Sequence, residues 1–257
     1  MEERAKNNFW EPRVFLAVVT VLVAIVIVFY FIASMVTSVG YQTFAEANDV
    51  TVIEKESITI ILDAGHGGED PGAVANGVVE KEVNLSVTQK LADFLILSGY
   101  KVLLTRSGDR MLYNDGQDHR KKYFDLYNRV QIAAGETNGI FVSIHSNKFP
   151  LESCFGMQTF YSPKNPGNCL LANCIQDASK LLNINNTRVA KQDDNTIFVL
   201  KNLSIPSVLI ECGFLSNPEE AKLLSTEAYR DQLAFTICCG IVAYLQEYNI
   251  ENQLYLQ

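Results

Sequence analysis

Three apolar runs of strand length set the fold class of this chain: SITIILD (57–63), GIFVSIHSN (139–147) and PSVLIECGFLSN (206–217). Runs this short and this continuously apolar read as strands buried on both faces. YKVLLT (100–105) and GMQTFYS (156–162) add further strands. Segments of helical character lie between them. In EKEVNLSVTQKLADFLILSG, positions 87, 91, 94 and 95 form an apolar stripe and Gly99 is a stop signal. Another helix is expected from the charged stretch 106–122 to about Ala134, and one more over 168–183. Pro218 opens the next, and EAYRDQLAFTICCGIVAYLQEY closes the chain as a long helix. Strands alternating with helices predict an α/β domain: a mostly parallel, mixed open sheet of about six strands, flanked by helices.

That alternation gives three side chains a common address. His66, His145 and Glu211 each lie at or just past the C-terminal end of a strand, with the 206–217 strand expected to end at Glu211. In an open α/β sheet those ends face the edge where ligands bind. Glu80 precedes a helix and joins them if the 67–79 loop folds back. Two imidazoles and one carboxylate around an open position make a catalytic zinc site. A second carboxylate nearby can take a proton and pass it to a leaving amine. His66, Glu80 and His145 are therefore the expected metal ligands, and Glu211 the expected general base and acid. Taken singly, each residue has a plainer reading. A lone histidine after a strand is usually structural, and Glu80 and Glu82 compete as first-turn acids favoured by the helix dipole. Glu211 is sharper, because a carboxylate inside a buried apolar run is costly unless paired or functional.

Taken together, LDAGHGGEDPGAVANGVVEKEVNL, FVSIHSN and PSVLIECGFLSNPEEAKLL resemble the three blocks of the zinc-dependent N-acetylmuramoyl-L-alanine amidases of the Amidase_3 type. The likeness runs from about 58 to 247. It implies one zinc ion per chain, held by His66, Glu80 (rather than Glu82) and His145, with Glu211 as the catalytic acid. The substrate it implies is peptidoglycan, cut between muramic acid and L-alanine. The stretches GDRMLYNDGQDHRKKYFDLYNR and MQTFYSPKNPGN resemble the germination-specific branch of the family. That branch acts on spore cortex as a step toward muramic-δ-lactam, in some relatives with a lipoprotein activator. A glycan groove would draw on Asn147, Gln158, Arg106 and Arg129. His119 sits in a charged stretch and is assigned no role, and Cys212 should face away from Glu211.

The N-terminus is of another kind. Val14 to Val36 is an uncharged apolar run of 23 residues, long enough to span a bilayer. Arg4, Lys6 and Arg13 precede it and no Lys or Arg follows until Lys55, which places residues 1–13 in the cytoplasm and the rest outside. The expected order is a tail (1–13), a signal-anchor (14–36), a stalk (37–56) and a catalytic domain (57–250). AEA at 45–47 resembles a signal-peptidase site, so a cleaved, secreted form is the alternative. The net charge of −8, with HRKK (119–122) the one basic cluster, excludes nucleic acid as the expected partner. Six cysteines without a CxxC pair read as free thiols rather than a disulfide framework or zinc knuckle. Without HExxH, GxSxG or a phosphate-binding GK[ST], the competing readings are another exported zinc peptidase or amidase, or a silent, membrane-tethered scaffold that binds peptidoglycan.

Overall fold

In a computed structural model, described for residues 58–254 apart from 115 and 184 and for Leu16, Ile27 and Val28, eight strands and six helices follow one another. They are β1 (Thr59–Ala64), β2 (Val74–Ala75), β3 (Val78–Val79), α1 (Glu80–Leu97), β4 (Lys101–Leu104), α2 (Lys121–Ala134), β5 (Gly139–Asn147), β6 (Gln158–Tyr161), α3 (Gly167–Leu182), β7 (Lys191–Gln192), α4 (Phe198–Asn202), β8 (Ser207–Phe214), α5 (Pro218–Leu224) and α6 (Glu227–Leu254). Apart from Leu16, Ile27 and Val28, the expected tail, membrane span and stalk lie outside the described residues. Among the described residues no helix is long and apolar enough to cross a membrane.

The six-stranded sheet has the order β4-β1-β5-β8-β6-β7. β4, β1, β5 and β8 run parallel, β6 is antiparallel to β8, and β7 is parallel to β6. This is the mixed, mostly parallel sheet that the alternating pattern predicts. Period-two alternation splits its side chains between two cores. Ile60, Leu62, Val208, Ile210 and Cys212 pack with Val83, Val87 and Leu91 of α1 and with buried residues of α3 and α6. Ile61, Phe141 and Leu209 face Val130 and Ala133 of α2 and Val199 and Leu200 of α4. Cys212 thus lies on the face opposite Leu209, as its strand position requires.

Local chemistry sets the ends of these elements. Helix α1 stops at Gly99 (φ +84°), where Gly99 N donates to Ile96 O and Tyr100 N donates to Leu95 O. This Schellman closure satisfies the last carbonyls and needs a left-handed residue. Helix α5 starts on Asn217, whose side chain accepts from the amides of Glu219 and Glu220, with Pro218 at the first helical position.

One departure from the sequence expectation and one expected feature matter for the site. The β8 ladder continues past Glu211 to Phe214, so Glu211 projects from within a strand rather than from its end. The cause is continued pairing: Asn147 of β5 pairs with Phe214 beyond a register shift. The 67–79 segment does fold back, and a small hairpin does it. Asn76 (φ +50°) and Gly77 (φ +76°) turn β2 into β3, the left-handed pair that a two-residue hairpin favours. Glu80 N then donates to Ala73 O, which sets the first residue of α1 against the loop.

Candidate metal centre

His66 is placed by the end of β1. Its φ of +63° is left-handed, a conformation that costs most side chains energy and is found where surroundings enforce it. The enforcing contacts are visible. Gly67 and Asp70 exchange both backbone hydrogen bonds at 3.0 Å, and Arg129 Nη2 donates to His66 O at 2.7 Å. The ring is fixed separately. Nδ1 of His66 lies 2.9 Å from Asp70 Oδ2, and Lys122 also bonds that oxygen. A carboxylate at Nδ1 orients the ring and turns Nε2 toward the rest of the group. Nε2 lies 3.1 Å from Glu80 Oε1.

Glu80 opens helix α1, where the dipole favours negative charge. Its buried Oε1 lies 2.9 Å from His145 Nδ1 and accepts from Ser146 N and from Asn84 Nδ2, both at 3.2 Å. Its Oε2 accepts from Ala73 N at 2.7 Å. Burial opposes its ionisation, but the hydrogen bonds from His145 and His66 prevail and hold the carboxyl well below the usual carboxylate range. The same contacts raise His66: burial would lower its pKa, and Glu80 and Asp70 outweigh that. Glu82, the competing acid, is exposed.

His145 completes the group from β5. The two imidazole rings stand edge to face, 5.0 Å apart at 75°. One ligand atom each from His66, Glu80 and His145 lies within 4.8 Å of the other two. Such a set could hold a divalent first-row ion with a coordination position left open. Two glycines make room for it. A Cβ on Gly65 would run into the His145 imidazole, and one on Gly72 would meet Glu80 Oε2 at 2.5 Å and His66 Cδ2 at 2.7 Å. Gly65 and Gly72 are thus required by the close approach of the ligand side chains. Asp70→Asn is expected to weaken divalent-metal binding about 10- to 100-fold without unfolding the domain, read by competition against a chelating dye.

Glu211 stands beside this group. On β8 it pairs with His145 of β5 on one side and Gln158 of β6 on the other. Its Oε2 is buried with no hydrogen-bond partner among the described residues. Burial pushes the carboxyl up to about 7; His145 pulls back on that shift, Glu80 adds to it, and His66 pulls back. A carboxyl poised there can both take and give a proton near neutral pH. A cavity of about 420 Å³ opens onto Glu211 and His145, with walls that include Phe160, Lys191, Thr196 and Ile197. An unpartnered carboxylate oxygen on a residue that lines a cavity is the kind of feature found where ligands bind.

The expected groove residues fare differently. Arg106 and Arg129 are each 1% exposed, which removes them from any groove. Arg106 donates to the carbonyls of Ala64, Gly65, Lys81 and Gly108 at 2.8–3.0 Å. Arg129 bonds Asp63, Asp125 and the carbonyls of Ala64 and His66. Both clamp the chain that carries His66 from beneath, and their donors are engaged by protein. Gln158 is half-buried, and its amide is engaged by Arg188 and Val189 O. Asn147 is half-buried at the end of β5. Sequence reasoning missed Asp70, whose signal was its position four residues after His66. It also missed the 191–197 wall, where Asp193 bonds Thr196 Oγ1 and Ile197 N.

A sheet edge that presents two imidazoles, a carboxylate between them and a second, poorly solvated carboxylate is the layout a metal-assisted hydrolase needs. Residues 60–243 match the family described as N-acetylmuramoyl-L-alanine amidase, Amidase_3, and the chain belongs to that family of enzymes. It is 40% identical over 190 residues to the germination-specific N-acetylmuramoyl-L-alanine amidase of Bacillus subtilis (strain 168), covering 73% of this chain and 80% of that relative. The CwlD amidase from Clostridioides difficile, solved in complex with the GerS lipoprotein, superposes with a TM-score of 0.71 at 43% identity, over 74% of this chain and 99% of that one. AmiC2 of Nostoc punctiforme, another N-acetylmuramoyl-L-alanine amidase, superposes at 0.63 with 28% identity, over 74% and 97%.

Proposed function

We propose that this amidase is zinc-dependent and acts on spore-cortex peptidoglycan, releasing the stem peptide from muramic acid as a step toward muramic-δ-lactam. The observation that carries the chemistry is the unpartnered Oε2 of Glu211 beside the converging His66, Glu80 and His145. His66, Glu80 and His145 would hold the zinc, which would supply Lewis acidity toward the amide carbonyl and the attacking water near neutral pH. Asp70 orients His66 for that task, and the amides of Ser146 and Ala73 orient Glu80. Glu211 removes the proton from the attacking water and delivers it to the L-alanine nitrogen as the bond breaks.

The cortex reading is supported by the similarity to the germination-specific amidase of Bacillus subtilis. The complex of the Clostridioides difficile amidase with a lipoprotein supports an extracytoplasmic lipoprotein activator for this chain too. The apolar run 14–36 would tether the enzyme, with its catalytic domain outside the cell. Mass spectrometry of cortex muropeptides from a strain lacking the gene tests the proposal. Muramic-δ-lactam is expected to vanish while intact muramoyl peptides persist. An unchanged lactam content contradicts the cortex role.

A further inference from the structure

Helix α2 starts at the shoulder of the metal centre. Its Lys122 bonds Asp70, and Lys122 Nζ lies 3.5 Å from His66 Nδ1. The next residue, Tyr123, is 43% exposed, and Tyr127, one turn on, is 39% exposed. Their rings lie nearly parallel, 6.2 Å apart at 18°. Phe198 meets the Tyr123 ring at 6.0 Å and 74°, and the Arg120 guanidinium sits over Tyr123 at 4.9 Å. These contacts hold the tyrosines in place, Arg120 occupying part of the Tyr123 face, while both side chains stay about two-fifths exposed. Phe198 directly follows Ile197, which lines the cavity that opens onto Glu211 and His145. Two separate stretches of chain, one through Lys122 and one through Ile197, therefore join this aromatic surface to the reacting centre.

Isolated exposed aromatics need no explanation, but adjacent, mutually braced ones at the rim of a catalytic cleft do. The geometry points to a glycan-binding platform, formed by Tyr123 and Tyr127, that takes sugar rings of the peptidoglycan strand. The inference rests on the amidase reading above. In that substrate the scissile carbonyl hangs from a muramic ring by a short lactyl ether, so the sugar bearing it and its neighbours must lie at the rim of the metal centre. A pyranose presents a face of C–H bonds, which suits the electron-rich face of a tyrosine ring, while the phenol hydroxyl can meet sugar hydroxyls. The tyrosines are fixed before binding, so little side-chain entropy is lost on stacking.

The test compares two substrates with the full chain: polymeric cortex glycan and a single muramoyl tripeptide, whose one sugar cannot occupy the whole Tyr123–Tyr127 surface. Tyr123→Ala with Tyr127→Ala is expected to raise KM for the polymer about tenfold, as the loss of two aromatic contacts implies, with a much smaller change on the short fragment. Tyr123→Phe with Tyr127→Phe, which keeps both ring faces and guards against misfolding, should retain most of the polymer affinity. Peptide-free glycan strands should co-sediment with the Glu211→Gln protein and be lost when both tyrosines become alanine. Equal polymer KM in the Ala pair and the parent, or equal loss on both substrates, overturns the platform. Failure of the unmutated chain to release peptide from either substrate instead overturns the amidase reading beneath it.

Discussion

Glu211→Gln is expected to lower peptide release by about two to four orders of magnitude, the contribution of a positioned general acid–base, while zinc stays bound. The same substitution should change stability in the opposite direction. In the metal-free protein the Glu211 carboxyl is raised from 4.5 to about 7, chiefly by burial. Between those values the folded chain keeps a proton that the unfolded chain has released, so folding stability falls as pH rises from about 4.5 to 7 and stays low above it. The penalty amounts to ~3 kcal/mol at pH 8. Glutamine has nearly the same shape and no charge to desolvate. Chelator-treated Glu211→Gln should therefore melt above chelator-treated wild type at pH 8 and close to it at pH 4.5. His66, raised in the folded state, also loses its stabilising contribution as pH rises through its folded pKa, but it does so in both proteins. The difference between the two melting curves isolates Glu211. Parallel curves at every pH would falsify the burial of this carboxylate.

The largest structural effect belongs to Arg129. Its guanidinium lies between Asp63 and Asp125, at 2.7 and 2.9 Å, and all three side chains are almost fully buried. Thr105 and Ser143 also donate to Asp63. Burial opposes the charge on Asp63, but Arg129 and the two hydroxyls hold its carboxyl below the ordinary value. Arg129→Met leaves two carboxylates buried without a counter-charge, which typically costs about 3–5 kcal/mol. For a domain of this size the melting temperature should drop by on the order of 10 °C. Arg129→Lys should recover little, since a single ammonium cannot reach both acids and the carbonyls of Ala64 and His66 together. Because Asp63 is depressed in the folded state, its contribution is present above its ordinary value near 3.8 and is lost as pH falls through the folded one. The gap between wild type and Arg129→Met should accordingly narrow in acid. A melting temperature within about 2 °C of wild type at pH 7 would show that the ion pair is dispensable.

Arg129 also marks the limit of what could be read from residues alone. Arginine is rarely buried, so a polar side chain after the 106–122 stretch is naturally assigned to a groove. Its actual role depends on Asp63, 66 positions earlier, and no local pattern announces a pair that distant. Arg106 fails for the same reason: its acceptors are backbone carbonyls, which carry no sequence signal. By contrast, His66 and His145 were legible, because strand-length apolar runs place them near strand ends and an open parallel sheet fixes where those ends point; Glu211 was legible as a carboxylate inside a buried apolar run, although its strand continues to Phe214. The choice of Glu80 over Glu82 is helix geometry: residues two apart face different directions, and the hairpin at Asn76–Gly77 turns the first of them inward. Family likeness singled out Glu80, and the folded chain supplies the physical reason. The 191–197 wall was missed because β7 has only two residues and its order comes from Asp193 bonding Thr196 and Ile197 N rather than from apolar periodicity.

Zinc content measured alongside activity, for wild type and for His66→Ala, Glu80→Ala, His145→Ala and Glu211→Gln, bears most directly on the site. The expected result is one tightly held zinc in wild type and in Glu211→Gln, with loss of zinc in the three alanine variants and loss of peptide release in all four. Retention of stoichiometric zinc by the alanine variants, or full peptide release by Glu211→Gln, would contradict the assignment of metal ligands and proton shuttle made from this structure.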